Sequence, residues 1–216
     1  MRRYLLLASA ASLAVSMAAC NKNSQNPPSA ATPAEQAATP NANPASTIPS
    51  PADETKAPTF VTKAAASDMF EIESSKIALQ RSQNAAVKKF AEEMIKAHTK
   101  TTDALKKTLA DSGTNVSPPT ALPQDLQSKI DDLNKASPQD FDKKYVDEQI
   151  DGHQSALNVM QRYAQDGDVA QLKQLAAQTA PTVQQHLTMA KSLKDSLDKT
   201  KDGQANAAPN NRAPNG

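Results

Sequence analysis

The chain has 216 residues and a formal net charge of +1, with 24 lysines and arginines against 23 aspartates and glutamates. Because the charges are interleaved and aromatic residues make up only 3% of the chain, the sequence predicts neither a basic nucleic-acid surface nor a base-stacking platform. With one cysteine and no glycine-rich phosphate motif, a disulfide framework, a cysteine-ligated metal site and a P-loop are also excluded.

The first 20 residues have the layout of a bacterial export signal. Two arginines precede an apolar run that ends in small residues, and the run is too short to span a bilayer as a mature helix. Cys20 directly follows small residues, which indicates a lipoprotein signal peptide (1–20) and lipidation of this thiol, although leucine is more usual where Met17 stands. The alternative is ordinary cleavage after Ala18, which would leave Cys20 as a free thiol.

The residue after Cys20 is Asn21, whereas an aspartate there would resemble an inner-membrane retention signal. We therefore expect an outer-membrane lipoprotein that faces the periplasm and contacts the membrane through its N-terminal lipid. Residues 21–58 are rich in proline, alanine, asparagine and serine, so they are predicted to form a disordered tether that reaches roughly 35 Å.

Residues 59–199 are predicted to form one all-α domain, because glycine is rare there and the apolar residues recur with a helical period. Asn84 is a suitable N-cap, Gly113 a C-terminal stop, Ser137 another N-cap, and Gly167 with Asp168 a second helix boundary. The predicted helices are four long ones at about 59–81, 84–111, 138–165 and 168–199, and a short one at about 124–135.

Two short turns and one long connection predict a ferritin-like four-helix bundle with a long crossover between the second and third long helices. An up-down bundle with a meandering loop is the alternative. Residues 200–216 are predicted to be a disordered tail.

The three histidines of the chain each lie on the apolar stripe of a different predicted helix, near its middle. If the crossover spans the bundle, the second and third long helices run parallel, and His98 and His153 share a layer. His186 is some five residues further from its turn than His153, which is roughly 7.5 Å along a helix axis. Pro181 must kink or bulge the last helix, and this either changes the register of His186 or only bends the helix around the core.

Two interpretations of these histidines stay open. In the first, each is a buried neutral imidazole that is hydrogen-bonded to a partner such as Tyr145, Tyr163, Thr101 or Glu71. In the second, the three form a mononuclear zinc or copper site with one carboxylate. The carboxylate candidates are Glu71 and, less favoured, Asp68, Asp147 and Glu148.

A carboxylate-bridged iron pair is not predicted, because such sites place glutamate three residues before histidine. The residues at that spacing here are Ile95, Ile150 and Val183. No nucleophile–base pair stands out either, so no catalytic residue is assigned and the protein is not expected to be an enzyme.

Four segments of the chain resemble an exported bacterial family catalogued as domain of unknown function 4142. They are FVTKAAASDMFEIESSKIAL, VKKFAEEMIKAH, FDKKYVDEQIDGH and APTVQQHLTMAKSL. The resemblance covers about 59–197 and implies a ferritin-like fold, an envelope location and motifs that end in His98, His153 and His186. Ala97 stands where an acidic residue often precedes the first histidine, which weakens the case for an outer-shell carboxylate at that position.

The family implies no established reaction. We therefore expect a lipid-anchored envelope protein that acts as a structural or stress-related binding module, with a protein partner of unknown identity and without a cofactor. The alternative function is metal binding by the inward-facing histidines, with a divalent metal as the cofactor.

Overall fold

The computed structural model describes the backbone of residues 53–206 and the side chains of residues 54–199. Within this range the chain is helical and contains no strand, so the predicted all-α fold is confirmed. None of these described helices combines the length and the hydrophobicity that a membrane crossing requires. A short 3-10 turn at Asp53–Thr55 precedes the helices α1 (Ala57–Arg81), α2 (Ala85–Ser112), α3 (Gln124–Lys135), α4 (Pro138–Asp166) and α5 (Ala170–Asn206).

Local capping chemistry sets several of the helix ends. The side chain of Asn84 accepts hydrogen bonds from the backbone N–H groups of Ala86 and Val87 at 2.8 and 3.3 Å, so this residue is the N-cap of α2. Gly113 ends the same helix with a left-handed φ of 65°. Ser137 accepts from the N–H of Asp140 and caps α4, as predicted.

Asp168 has a different role from the predicted N-cap of the last helix. Its Oδ1 atom accepts hydrogen bonds from the backbone N–H of Ala57 and the hydroxyl of Tyr163, both at 2.9 Å. The carboxylate thus satisfies an N–H group at the start of α1, which would otherwise have no helical acceptor. Asp168 therefore ties the start of α1 to the turn between α4 and α5.

The helical region is longer at both ends than predicted. At the N-terminal end it takes in the last residues of the segment predicted as a tether (21–58), because Pro58 lies in the first turn of α1, where proline is tolerated. At the C-terminal end α5 continues to Asn206, since no proline interrupts the sequence between Pro181 and Pro209. The signal peptide, Cys20, most of the tether and residues 207–216 lie outside the described residues.

The four long helices form a bundle in which α1 packs against α2 and α4, and α5 packs against the same two helices. Phe60, near the start of α1, stacks on Tyr163, near the end of α4, while Ser75 and Tyr145 pair near their opposite ends. Helices α1 and α4 are therefore antiparallel. Since α1 and α2 form an antiparallel hairpin, α2 and α4 run parallel, which is the connectivity of the predicted crossover.

The crossover returns along the outside of the bundle, where α3 packs against α1 and α4. Ile130 and Leu133 of α3 are buried, and the guanidinium of Arg81 donates hydrogen bonds to the carbonyls of Leu133 and Ala136. The same guanidinium lies 4.9 Å from the ring centre of Phe141. These contacts fix the long connection to the bundle.

The core contains two large apolar clusters with a polar layer between them, and a smaller third cluster formed by Ala156, Leu157, Val183 and Leu187. One large cluster lies at the end that contains Phe60, Leu109 and Tyr163, and the other at the end that contains Phe90 and Tyr145. Buried polar residues occupy the level between the clusters, and they are Asp68, Glu71, Ser74, His98, Gln149, His153 and His186. The candidate site lies in this layer.

Candidate metal centre

The three histidines predicted to face inward meet in the middle of the bundle. His98 of α2, His153 of α4 and His186 of α5 are 4%, 1% and 3% exposed. Their ring centres form a nearly equilateral triangle with sides of 5.4–5.6 Å. One nitrogen atom from each ring lies within 4.8 Å of the corresponding atoms of the other two. The structure thus brings all three candidate ligands to one place.

The axial offset of His186 is smaller than expected. Measured from the observed helix ends, His153 lies 13 residues before Asp166 and His186 lies 16 residues after Ala170, so only three residues separate their levels. Side chains on a helix lean towards its N-terminus, and this lean moves the two rings of an antiparallel pair towards each other here. Helix α5 continues through Pro181 without interruption.

Asp68 of α1 orients the ring of His98. The Nδ1 atom of His98 lies 2.8 Å from Oδ1 of Asp68, and both side chains are buried. The hydroxyls of Thr101 and Thr102 donate to the two oxygens of the same carboxylate at 2.8 and 3.1 Å. In the neutral form of His98, Nδ1 donates its proton to Asp68, and Nε2 carries a lone pair that points away from the carboxylate.

The ring of His153 is oriented by its own helix. Its Nδ1 atom donates to the backbone carbonyl of Gln149, one turn earlier, at 2.7 Å. The carbonyl can only accept, so the proton is on Nδ1 and the lone pair is on Nε2. Gln149 is itself buried, and its amide donates to the hydroxyl of Ser74 at 3.2 Å.

In this layer, one buried nitrogen of each histidine makes no hydrogen bond to a described residue. Among the described residues, Nε2 of His98, Nε2 of His153 and Nδ1 of His186 are buried and have no hydrogen-bond partner. A buried polar atom without a partner costs about 1–3 kcal/mol. One such nitrogen on each ring therefore indicates a group that the three share.

Glu71 lies behind His153 and is not part of the set of ligand atoms. Its Oε1 atom is 3.7 Å from Nδ1 of His153, the nitrogen that bonds to Gln149. The side chain is 1% exposed, and neither carboxylate oxygen has a hydrogen-bond partner within residues 54–199. Burial raises the pKa of Glu71 to about 7. A Cβ atom on Gly152 would lie 2.8 Å from Oε1, so α4 approaches the carboxylate closely at this glycine.

Burial and the neighbouring histidines keep the rings of His153 and His186 neutral near pH 7. Burial, followed by the positive charge of His98, lowers the pKa of His153 to about 4. Burial and the two neighbouring histidines lower the pKa of His186 to about 3. Burial alone would lower the pKa of His98 too, but the Asp68 hydrogen bond and the nearby negative charges together raise it. Neutral imidazoles are the form that binds metals.

Asp147, Glu148 and the two tyrosine hydroxyls form their contacts with residues other than the three histidines. Asp147 pairs with Lys143 and Lys194, and Glu148 pairs with Lys129. The two tyrosines considered as histidine partners, Tyr145 and Tyr163, are bonded instead to Ser75 and Asp168.

Sequence reasoning assigned Asp68 only as a weaker candidate ligand, although it is the residue that holds His98. Its position on the inward stripe of α1 was the available signal, because a carboxylate on a buried stripe needs a partner. No feature of the sequence indicated that Gly152 lies close to Glu71, because this contact depends on how α1 and α4 pack.

Comparison with curated proteins gave no significant match, and comparison with solved structures gave none either. The family described as "Domain of unknown function (DUF4142)" has a model that matches residues 29–193, which includes all five described helices except the end of α5. The chain therefore belongs to this family.

Proposed function

We propose that the helical domain binds one divalent late transition metal ion, of the zinc or copper class, through His98, His153 and His186. The observation that carries this proposal is the meeting of three buried histidines, which offer one nitrogen each within 4.8 Å of the others and which each have a buried nitrogen without a partner among the described residues. A metal ion would accept one lone pair from each ring. A water molecule has two O–H groups and can donate to only two of the rings. It would satisfy all three nitrogens only if His186 carried its proton on Nδ1 and donated it to the water.

The charges around the three rings support a cation in this position. Asp68 lies behind His98 and Glu71 lies near His153, and both carboxylates are buried on the same helix. Two carboxylates would balance the charge of a divalent ion, and a buried charge is stable only when it is compensated. The contact between Asp68 and His98 is also the outer-shell arrangement that orients metal-binding histidines in other proteins.

The dimensions of the triad are close to those of a metal site. Nitrogens bound to a tetrahedral zinc ion lie about 3.4 Å apart, given bond lengths of about 2.1 Å. The nitrogens here lie within 4.8 Å of one another, so small rotations of the rings would bring them to the metal. A ligand set of imidazoles without thiolate suits zinc and copper.

The proposed setting for this activity is the cell envelope. The support is the N-terminal sequence, in which an export signal ends at Cys20 and a proline-rich stretch follows. A lipid on Cys20 would hold the domain at the periplasmic face of the outer membrane, where it would act as a binding module and not as an enzyme. Replacement Cys20→Ser would then release the protein from the membrane fraction, and unchanged membrane association would contradict the lipid anchor.

Calorimetric titration of the purified protein with Zn²⁺ and Cu²⁺ tests the proposed site. The wild-type protein is expected to bind one ion. The variants His98→Ala and His153→Gln should each lose more affinity than the roughly 10- to 100-fold that loss of an outer-shell partner costs. Tyr145→Phe is the matched control, because it removes a buried hydrogen bond to Ser75 elsewhere in the bundle. Equal, weak uptake by all four proteins would contradict the proposal.

A further inference from the structure

A small cavity lies beside His98 and His186 and is lined by residues of all four long helices. It measures about 20 Å³ and is lined by His98, His186, Asp68 and the threonines 101, 179 and 182, with small or apolar residues around them. A cavity of this size holds about one water molecule, provided that polar groups surround it. Hydroxyl groups, a carboxylate and two imidazoles provide these polar groups here.

The cavity is separated from solvent by a thin layer of side chains. An open groove of about 790 Å³ runs along the outside of α2 and α5. The groove and the cavity share five lining residues, which are Ala97, Thr101, Thr179, Thr182 and His186. Four of these have small side chains, so only small side chains and the ring of His186 separate the triad from solvent at this gap between the two helices.

Two further features favour the entry and exit of small anions through this gap. The outer groove carries Lys89, Lys96 and Lys100 against Glu92 and Glu93, so its charge is slightly positive and does not repel small anions. Pro181 of α5 lies next to Thr182 and has no N–H to donate to the carbonyl of Ala177. The helical turn that borders this gap is thus held by one backbone hydrogen bond fewer than an ordinary turn.

We infer that the metal ion of the proposed function keeps an open coordination position, which faces this cavity and binds a small monodentate ligand. Three protein ligands leave one position of a tetrahedral ion unfilled. At rest the ligand is water or hydroxide, and a small inorganic anion exchanges for it through the gap at Ala97. This inference rests on metal binding by the three histidines.

Cobalt(II) and azide test the open position. The first measurement is the uptake of Co²⁺ by the wild-type protein, followed by its visible absorption, which is strong for four-coordinate cobalt. Azide is then added to the loaded protein. We expect one bound cobalt ion and a saturable shift of the visible bands by azide.

Two alanines of α2 provide a matched pair of variants for the route. Ala97 lines both the groove and the cavity, whereas Ala104, two turns later on the same helix, lines the groove alone. In stopped-flow mixing, Ala97→Leu should slow azide association about tenfold, which corresponds to about 1.4 kcal/mol of added barrier. Ala104→Leu should leave the rate at the wild-type value. Ala97→Val, a smaller change, should give an intermediate rate if Ala97→Leu does not fold.

The outcomes separate this inference from the proposed function. A protein that takes up no cobalt overturns both. Stoichiometric cobalt with bands that do not respond to azide overturns the open position and leaves metal binding in place. Equal association rates for the variants of Ala97 and Ala104 overturn the route through this gap.

Discussion

At the scale of single residues, Asp68 is the side chain whose role can be measured most directly. It accepts from Nδ1 of His98 and is held in turn by the hydroxyls of Thr101 and Thr102. Asp68→Asn keeps the shape of the side chain but removes its charge, so the ring is held less firmly and is less basic. We expect the affinity for Zn²⁺ to fall roughly 10- to 100-fold, as for other outer-shell partners.

The control for this measurement is Asp103→Asn, which removes the same charge from an exposed position of α2. Its affinity for Zn²⁺ should stay close to that of the wild-type protein. If both variants lost affinity equally, the effect of Asp68 would be one of net charge and not of its contact with His98.

Glu71 makes the stability of the metal-free protein depend on pH. Burial raises its pKa from 4.5 to about 7, so folding favours the protonated carboxyl. This contribution is complete below pH 4.5 and is lost as the pH rises through about 7. Wild-type protein should therefore lose roughly 3 kcal/mol relative to Glu71→Gln between pH 4.5 and pH 8. Urea unfolding of both proteins at several pH values checks this, and parallel profiles would contradict it.

The residues of the site were only partly predictable from the sequence. The three histidines could be found because each falls on a regular apolar stripe. The burial of Glu71 was left open, because the charged residues Glu73 and Lys76 lie close to it in the sequence, and both are exposed. In the structure Glu71 follows Asp68 by three residues and precedes Ser75 by four, which is the spacing of the buried stripe of α1, and α4 approaches its carboxylate closely at Gly152.

At the scale of helices, Pro181 is the residue whose low helix propensity fits its position least. It lies in the interior of α5, where proline is roughly 3 kcal/mol less favourable than alanine. Pro181→Ala restores a backbone donor for the carbonyl of Ala177 and should raise the free energy of unfolding by roughly 1–3 kcal/mol. Pro138→Ala is the matched control, since Pro138 occupies the first residue of α4, where proline is tolerated. Equal small effects of both changes in urea unfolding would contradict this account, and so would a loss of stability in the Pro181 variant.

The helix ends show where local sequence signals are sufficient. Asn84, Gly113 and Ser137 act as predicted because a cap depends on a few neighbouring residues. Asp168 has the sequence position of a cap but bonds to Ala57, 111 residues away along the chain. Only the folded bundle brings that N–H group within reach.

At the scale of the whole molecule, the connectivity determines which helices share the histidine layer. A long crossover makes α2 and α4 parallel, so the midpoints of these helices, and with them His98 and His153, come to the same level. The lengths of the connections were enough to predict this arrangement. The level of His186 was not predictable to better than a few residues, because it depends on the length of the turn and on the lean of each side chain.

If three imidazoles hold one metal ion, X-ray absorption at the zinc edge of the zinc-loaded protein will detect them. We expect three imidazole nitrogens in the first coordination shell, at about 2.0–2.1 Å, and fewer in His186→Gln. A shell of oxygen atoms without imidazole, unchanged in that variant, would rule out coordination by the histidines.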